Sequence, residues 1–178
     1  MADIYSIFHS NFKDYKSSLK QTSLDNENNQ YLCFNEENIV YDFDKITKEL
    51  YPEKQPSSYD ALLFQKENNR VFCIEFKNQK YSDINRDEIR KKLTNSKESI
   101  DSIFIKYNIK REDYQFIFCV VYNSKLDRWK RGIAKNEIQF ELESYMPEYY
   151  DDIKTNDIDF LKKEFIKEFG KSCGCMIK

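Results

Sequence analysis

Glycine and proline are nearly missing from this chain, with three of each in 178 residues. So little glycine leaves no Gly-rich loop of the kind that cradles a nucleotide phosphate. The scarcity accompanies heavy use of Asn, Lys, Ile, Tyr and Phe and reads as coding bias, from which no function follows. No stretch reaches the roughly 18 apolar residues of a membrane span. The N-terminus "MADIYSIFHSNFKDYKSSLK" also lacks a basic leader and an unbroken apolar segment. The expectation is therefore a cytoplasmic protein with no membrane partner. A net charge of −2 argues against coating nucleic acid through bulk charge, because nonspecific binding rests on clustered Lys and Arg; a local basic groove stays open. The single histidine, His9, has no Cys, Ser or acidic partner nearby in sequence and is expected at or near the surface. The five cysteines do not resemble a disulfide framework. Cys73 and Cys119 lie inside apolar runs, where buried thiols are the ordinary state. Cys173 and Cys175 lack a second Cys or His pair to complete a zinc site.

Charged residues make up 34% and aromatics 16% of the chain, the balance of a globular protein with a well-solvated surface rather than a disordered one. Its length suits one domain spanning 1–178, with a core over about 30–123. Ile4, Phe8, Phe12, Tyr15 and Leu19 recur at helical spacing and predict an amphipathic helix over 3–20. "YLCF" and "NIVYDF" are strand-prone, and Asp44 is placed to cap a short helix ending at Leu50 before Pro52. Residues 58–77 predict a hairpin, with "YDALLFQ" and "RVFCIEFK" separated by "ENN". A long helix follows over about 85–107, then "DYQFIFCVVYN" (113–123) as a strand covered on both faces. Strand, helix and strand form a parallel crossover unit. Beyond it, a C-terminal extension over 136–170 is expected, with "IQFELE" as a strand and a helix capped near Thr155 or Asn156 and closed at Gly170. The fold class expected is α/β or mixed α+β, a central mixed sheet with flanking helices.

Three charges interrupt the apolar hairpin: Asp60, Glu75 and Lys77. Asp60 and Glu75 differ in parity, so they share a face only if opposed positions sum to an odd number. A two-residue turn at Asn68-Asn69 meets that condition, sets Glu67 opposite Arg70 and Asp60 opposite Lys77, and leaves Glu75 opposite Leu62. A three-residue turn would scatter the charges. Two carboxylates at one place require a positive partner, which Lys77 or a hard divalent cation would supply.

An acid on one strand and Glu75-Phe76-Lys77 on the next resemble the PD-(D/E)XK nuclease superfamily, over about residues 58–122. The resemblance implies an αβββαβ, restriction-endonuclease-like core in which Asp60 and Glu75 bind Mg²⁺ (or Mn²⁺). Lys77 would then orient or activate the attacking water and stabilise charge at the scissile phosphate. It implies a phosphodiester hydrolase acting on nucleic acid, DNA ahead of RNA, with a homodimer an open option. Two departures stand out. Tyr59, not Pro, precedes Asp60, and no acid from a preceding helix presents itself as a further ligand beyond Glu49 and Asp14. "KLDRWKRGIAK" adds candidate nucleic-acid contacts at Arg128, Trp129, Lys130 and Arg131. Arg90, Lys91, Lys92 and Lys97 on the long helix read as a salt-bridged surface able to approach a substrate backbone. The competing reading is a non-catalytic, immunity- or antitoxin-like module that binds a protein partner through the acidic, aromatic stretch "ELESYMPEYYDDIKTNDIDF".

Overall fold

The computed structural model describes residues 3–123 and 138–157. These build a mixed α/β fold around one six-stranded sheet. The strands of that sheet are β1 (Lys16–Ser18), β4 (Ile39–Asp42), β5 (Ala61–Gln65), β6 (Arg70–Lys77), β7 (Gln115–Tyr122) and β8 (Asp152–Asp157). They lie side by side in the order β1-β4-β5-β6-β7-β8. The first three pairings are antiparallel and the last two parallel. The described helices are α1 (Ile4–Asn11), α2 (Leu19–Thr22), α3 (Phe43–Leu50) and α4 (Arg86–Lys106). A separate ribbon pairs β2 (Leu24–Asp25) with β3 (Gln30–Tyr31). No helix among the described residues is long and apolar enough to cross a membrane.

The sheet is apolar on both faces, and strand alternation sorts the residues. Leu62, Val71, Cys73, Phe116, Phe118 and Val120 face a core completed by α1, α3, α4 and Tyr150. Ala61, Leu63, Phe72, Ile74, Phe76, Ile117 and Val121 face the opposite side, with Leu19, Leu32 and Cys33. This two-sided cover explains the nearly continuous apolar runs of β6 and β7, which α4 links as a parallel crossover. Helix α4 starts where expected because the Asn85 side chain accepts hydrogen bonds from the backbone N–H groups of Asp87 and Glu88. Cys73 and Cys119 are buried, as expected; Cys33, by contrast, takes part in a disulfide.

Four segments differ from their sequence reading. The helix expected over 3–20 ends at Asn11, and the chain tightens into a 3₁₀ turn at Lys13–Tyr15. Residues 16–18 then become an edge strand on β4, where ladder hydrogen bonds outweigh continued helical spacing. The cap of α3 is Asp42, whose side chain accepts from Lys45 N, rather than Asp44. "IQFELE" does not form a strand: Phe140 and Glu141 adopt left-handed backbone at φ 64° and 58°. The buried Phe140 ring stacks on Tyr81 at 5.0 Å while Arg86 and Arg90 hold Glu141. Alternating burial there serves a turn. Thr155 caps no helix; it lies in β8 opposite Val120, and its hydroxyl accepts a hydrogen bond from Gln139 N at 2.6 Å. The rest of the expected C-terminal helix, from residue 158, lies outside the described residues.

The hairpin loop is the correction that matters for function. It has four residues, Lys66 to Asn69, with Asn69 in left-handed backbone at φ 51°. Gln65 pairs with Arg70, Leu62 with Cys73 and Ala61 with Ile74. The expected pairs Glu67 with Arg70 and Asp60 with Lys77 are therefore absent. The register moved by an even number, however, so the predicted face survived. Asn69→Gly should leave the urea midpoint nearly unchanged, whereas Asn69→Val should cost about 1–2 kcal/mol by forcing a β-branched residue into left-handed backbone. Equal midpoints for the two variants would contradict this account of the loop.

Candidate active site

One step past the Ala61–Ile74 pair, the next residues on the two strands are Asp60 and Glu75. Strand parity turns Glu75 and Lys77 to the face that carries Val71 and Cys73, beneath α4. Glu75 is fully buried, while the Asp60 side chain keeps 19% exposure. Asp60 Oδ2 accepts a hydrogen bond from Phe76 N at 2.6 Å, which fixes the carboxyl against β6.

Helix α4 supplies the complementary groups on a stripe spaced by four residues, Glu88, Lys92 and Ser96. Glu88 Oε1 lies 2.6 Å from Lys77 Nζ. Lys92 Nζ donates to Glu75 Oε1 at 2.8 Å and Oε2 at 2.9 Å, and stands 3.6 Å from Asp60 Oδ1. Ser96 Oγ accepts from Tyr59 N at 3.0 Å, tying the start of β5 to the helix. Lys77 Nζ is also 3.1 Å from Glu75 Oε1. Asp60, Glu75 and Lys77 thus meet, as the sequence anticipated, although Lys77 contacts Glu75 rather than facing Asp60.

Lys92, Glu88 and Ser96 were not recognised as site residues. Their signal was present: a charged strand residue sealed under a helix requires a polar interruption of that helix's apolar face. Neither Glu49 nor Asp14 lines the groove beside Asp60, and both are exposed. A nearer acid is Asp44 on α3, which accepts a hydrogen bond from Ser58 Oγ and whose charge acts on Asp60 and Lys92. Arg128, Trp129, Lys130 and Arg131 lie outside the described residues.

The electrostatics follow from burial. Desolvation pushes the Asp60 carboxyl well above the usual carboxylate range, and the Glu75 charge beside it adds to the rise. Desolvation also raises Glu75, against the pull of Lys92 and Lys77. Burial alone would lower both lysines, but the surrounding carboxylates outweigh it and both rise, with Glu75 the largest such influence. Both remain ammonium ions at neutral pH. Lys77 can therefore donate hydrogen bonds and stabilise negative charge, but it is not a base.

Beside Asp60 and Lys77 opens a polar groove of about 430 Å³, lined also by Phe76, Asn78, Gln79, Glu88 and residues 22–28. Its charged lining is Asp25, Glu27, Asp60, Glu88 and Lys77, a surplus of carboxylates that favours entry of a cation. Asp60 and Glu75 offer hard oxygen donors at one point and fit a divalent cation chemically. Among the described residues, no group of three or more His, Cys, Asp or Glu side chains is placed so that together they could hold a metal ion. A cation held by these two would keep waters on its other positions, as Mg²⁺ commonly does.

A carboxyl whose pKa is raised on folding holds its proton where the unfolded chain has lost it. Stability therefore falls as pH rises from about 4, the unfolded value, through the folded value. In chelator, the urea midpoint should decline over that window, and Asp60→Asn, which keeps an acceptor for Phe76 N, should flatten the decline. Identical pH profiles for the two proteins would refute the assignment.

No protein-family model, curated protein or solved structure matches the chain.

Proposed function

We propose that the protein is a divalent-metal-dependent nuclease that hydrolyses phosphodiester bonds of nucleic acid, DNA ahead of RNA. The observation that carries this reading is the meeting of Asp60 and Glu75 on adjacent strands, with the Lys77 ammonium 3.1 Å from Glu75 at the mouth of a polar groove. The order α1, β4, β5, β6, α4, β7 supports the αβββαβ resemblance once β1, α2, β2 and β3 between α1 and β4, and α3 between β4 and β5, are taken as insertions.

In this reading Asp60 and Glu75 hold Mg²⁺ or Mn²⁺, which supplies a Lewis acid and lowers the pKa of a coordinated water. The chain's own groups do the rest. Phe76 N and the β6 backbone hold the Asp60 carboxyl in place. Glu88 anchors Lys77 at 2.6 Å, so a fixed ammonium faces the groove, able to orient a water and to stabilise negative charge that grows on a phosphate. Burial of Glu75 beneath α4 keeps bulk water from screening these charges.

The non-catalytic reading is favoured by one observation: Lys77 and Lys92 already pair with the buried Glu75, and Lys92 also with Asp60, which makes a self-sufficient network. Metal response separates the readings. For a nuclease, Mn²⁺ should raise the melting temperature of the wild type and not of Glu75→Ala. Cleavage of plasmid, single-stranded DNA or RNA should fall by about 100-fold or more in Asp60→Ala and Lys77→Ala. Absence of cleavage, or equal cleavage by all three proteins, would exclude the nuclease.

A further inference from the structure

The Lys92 ammonium is a single cation that reaches both carboxylates. It is bidentate on Glu75 at 2.8 and 2.9 Å and extends to Asp60 at 3.6 Å. Lys77, by contrast, is shared between Glu75 and Glu88. A Mg²⁺ ion bonded to carboxylate oxygens at about 2.0–2.1 Å cannot share the volume with an ammonium hydrogen-bonded to the same oxygens. The two cations exclude each other by size and by charge.

We infer that Lys92 is a built-in occupant of the metal seat, and that a divalent cation binds by exchange, with the Lys92 ammonium leaving Glu75 and Asp60. This rests on the metal-dependent reading above and adds a positioning residue to it. The reason for such an occupant is physical. Glu75 is wholly buried in a strand, and without Lys92 the metal-free protein would have only Lys77, itself shared with Glu88, to offset that charge in its core. Lys92 sits on the inner stripe of α4, and its side chain retains 17% exposure, so its flexible four-carbon stem has an outward path. Asp44, whose charge already acts on Lys92, offers the departing ammonium a neighbouring carboxylate. The exchange sets affinity: every divalent ion bound must displace a charge-assisted pair of hydrogen bonds.

The test is Mn²⁺ binding to the full chain by calorimetry at one fixed pH, comparing wild type with Lys92→Met, Lys92→Arg and Lys97→Met. Lys97 lies on the same helix and pairs with Asp101, so its variant controls for loss of a positive charge alone. Lys92→Met should bind Mn²⁺ at least about tenfold more tightly, Lys92→Arg no more tightly than wild type, and Lys97→Met close to wild type. In the wild type, the side-chain ammonium resonance of Lys92 should shift or vanish on Mg²⁺ saturation, a readout that does not depend on a variant folding. Unchanged or weaker binding by folded Lys92→Met, equal tightening by Lys97→Met, or an unperturbed Lys92 signal at saturating Mg²⁺ would overturn the exchange. If the wild type cleaves with Mg²⁺ while one of those results holds, only the exchange fails. If neither wild type nor Lys92→Met binds Mn²⁺ and no cleavage occurs, the nuclease reading fails with it.

Discussion

The architecture around the groove depends on one buried charge, the Glu75 carboxylate between Ile74 and Phe76 in β6. Sealed under α4 and fully desolvated, it demands positive partners from elements brought near by the fold. Lys77 comes from its own strand two residues on, and Lys92 from the covering helix. Glu88 then balances Lys77, and Asp60, just before β5, closes the set. Remove the demand, and the polar stripe on α4 has no reason to interrupt its apolar face.

The groove's charge gives this arrangement a direction. Carboxylates outnumber ammonium groups along its lining, so a phosphate has little to attract it until a cation adds positive charge. A small hard cation is drawn in by the same imbalance. Under the proposed reading, the groove suits a metal before a substrate, the order of events a metal-assisted hydrolase requires.

Much of this was legible in the sequence because burial writes a periodic pattern. The apolar runs of β6 and β7 and the period of α4 located the crossover, and parity together with an even-length hairpin loop put Asp60, Glu75 and Lys77 on one face. The exact partners were not legible. A four-residue loop and the two-residue turn at Asn68-Asn69 both satisfy the parity condition, and choosing between them needs the φ 51° at Asn69, a backbone fact. Lys92 sat in a helix so rich in charge that a solvated surface explained it equally well; only packing on Glu75 separates it from Lys91. Phe140 and Leu142 show the opposite failure, since alternating burial that mimics a strand arises when a turn presses two side chains into a core.

The spacing of Glu88, Lys92 and Ser96 has a mechanical meaning. At about 1.5 Å of rise per residue, their attachment points lie about 6 Å apart along α4, like three teeth engaging Lys77, Glu75 and the start of β5. A rack of that pitch resists sliding, because a shift of even part of a turn disengages all three teeth together. Whatever movement the central tooth makes must therefore be its own, a rotation of one side chain within a helix that the outer two hold in gear.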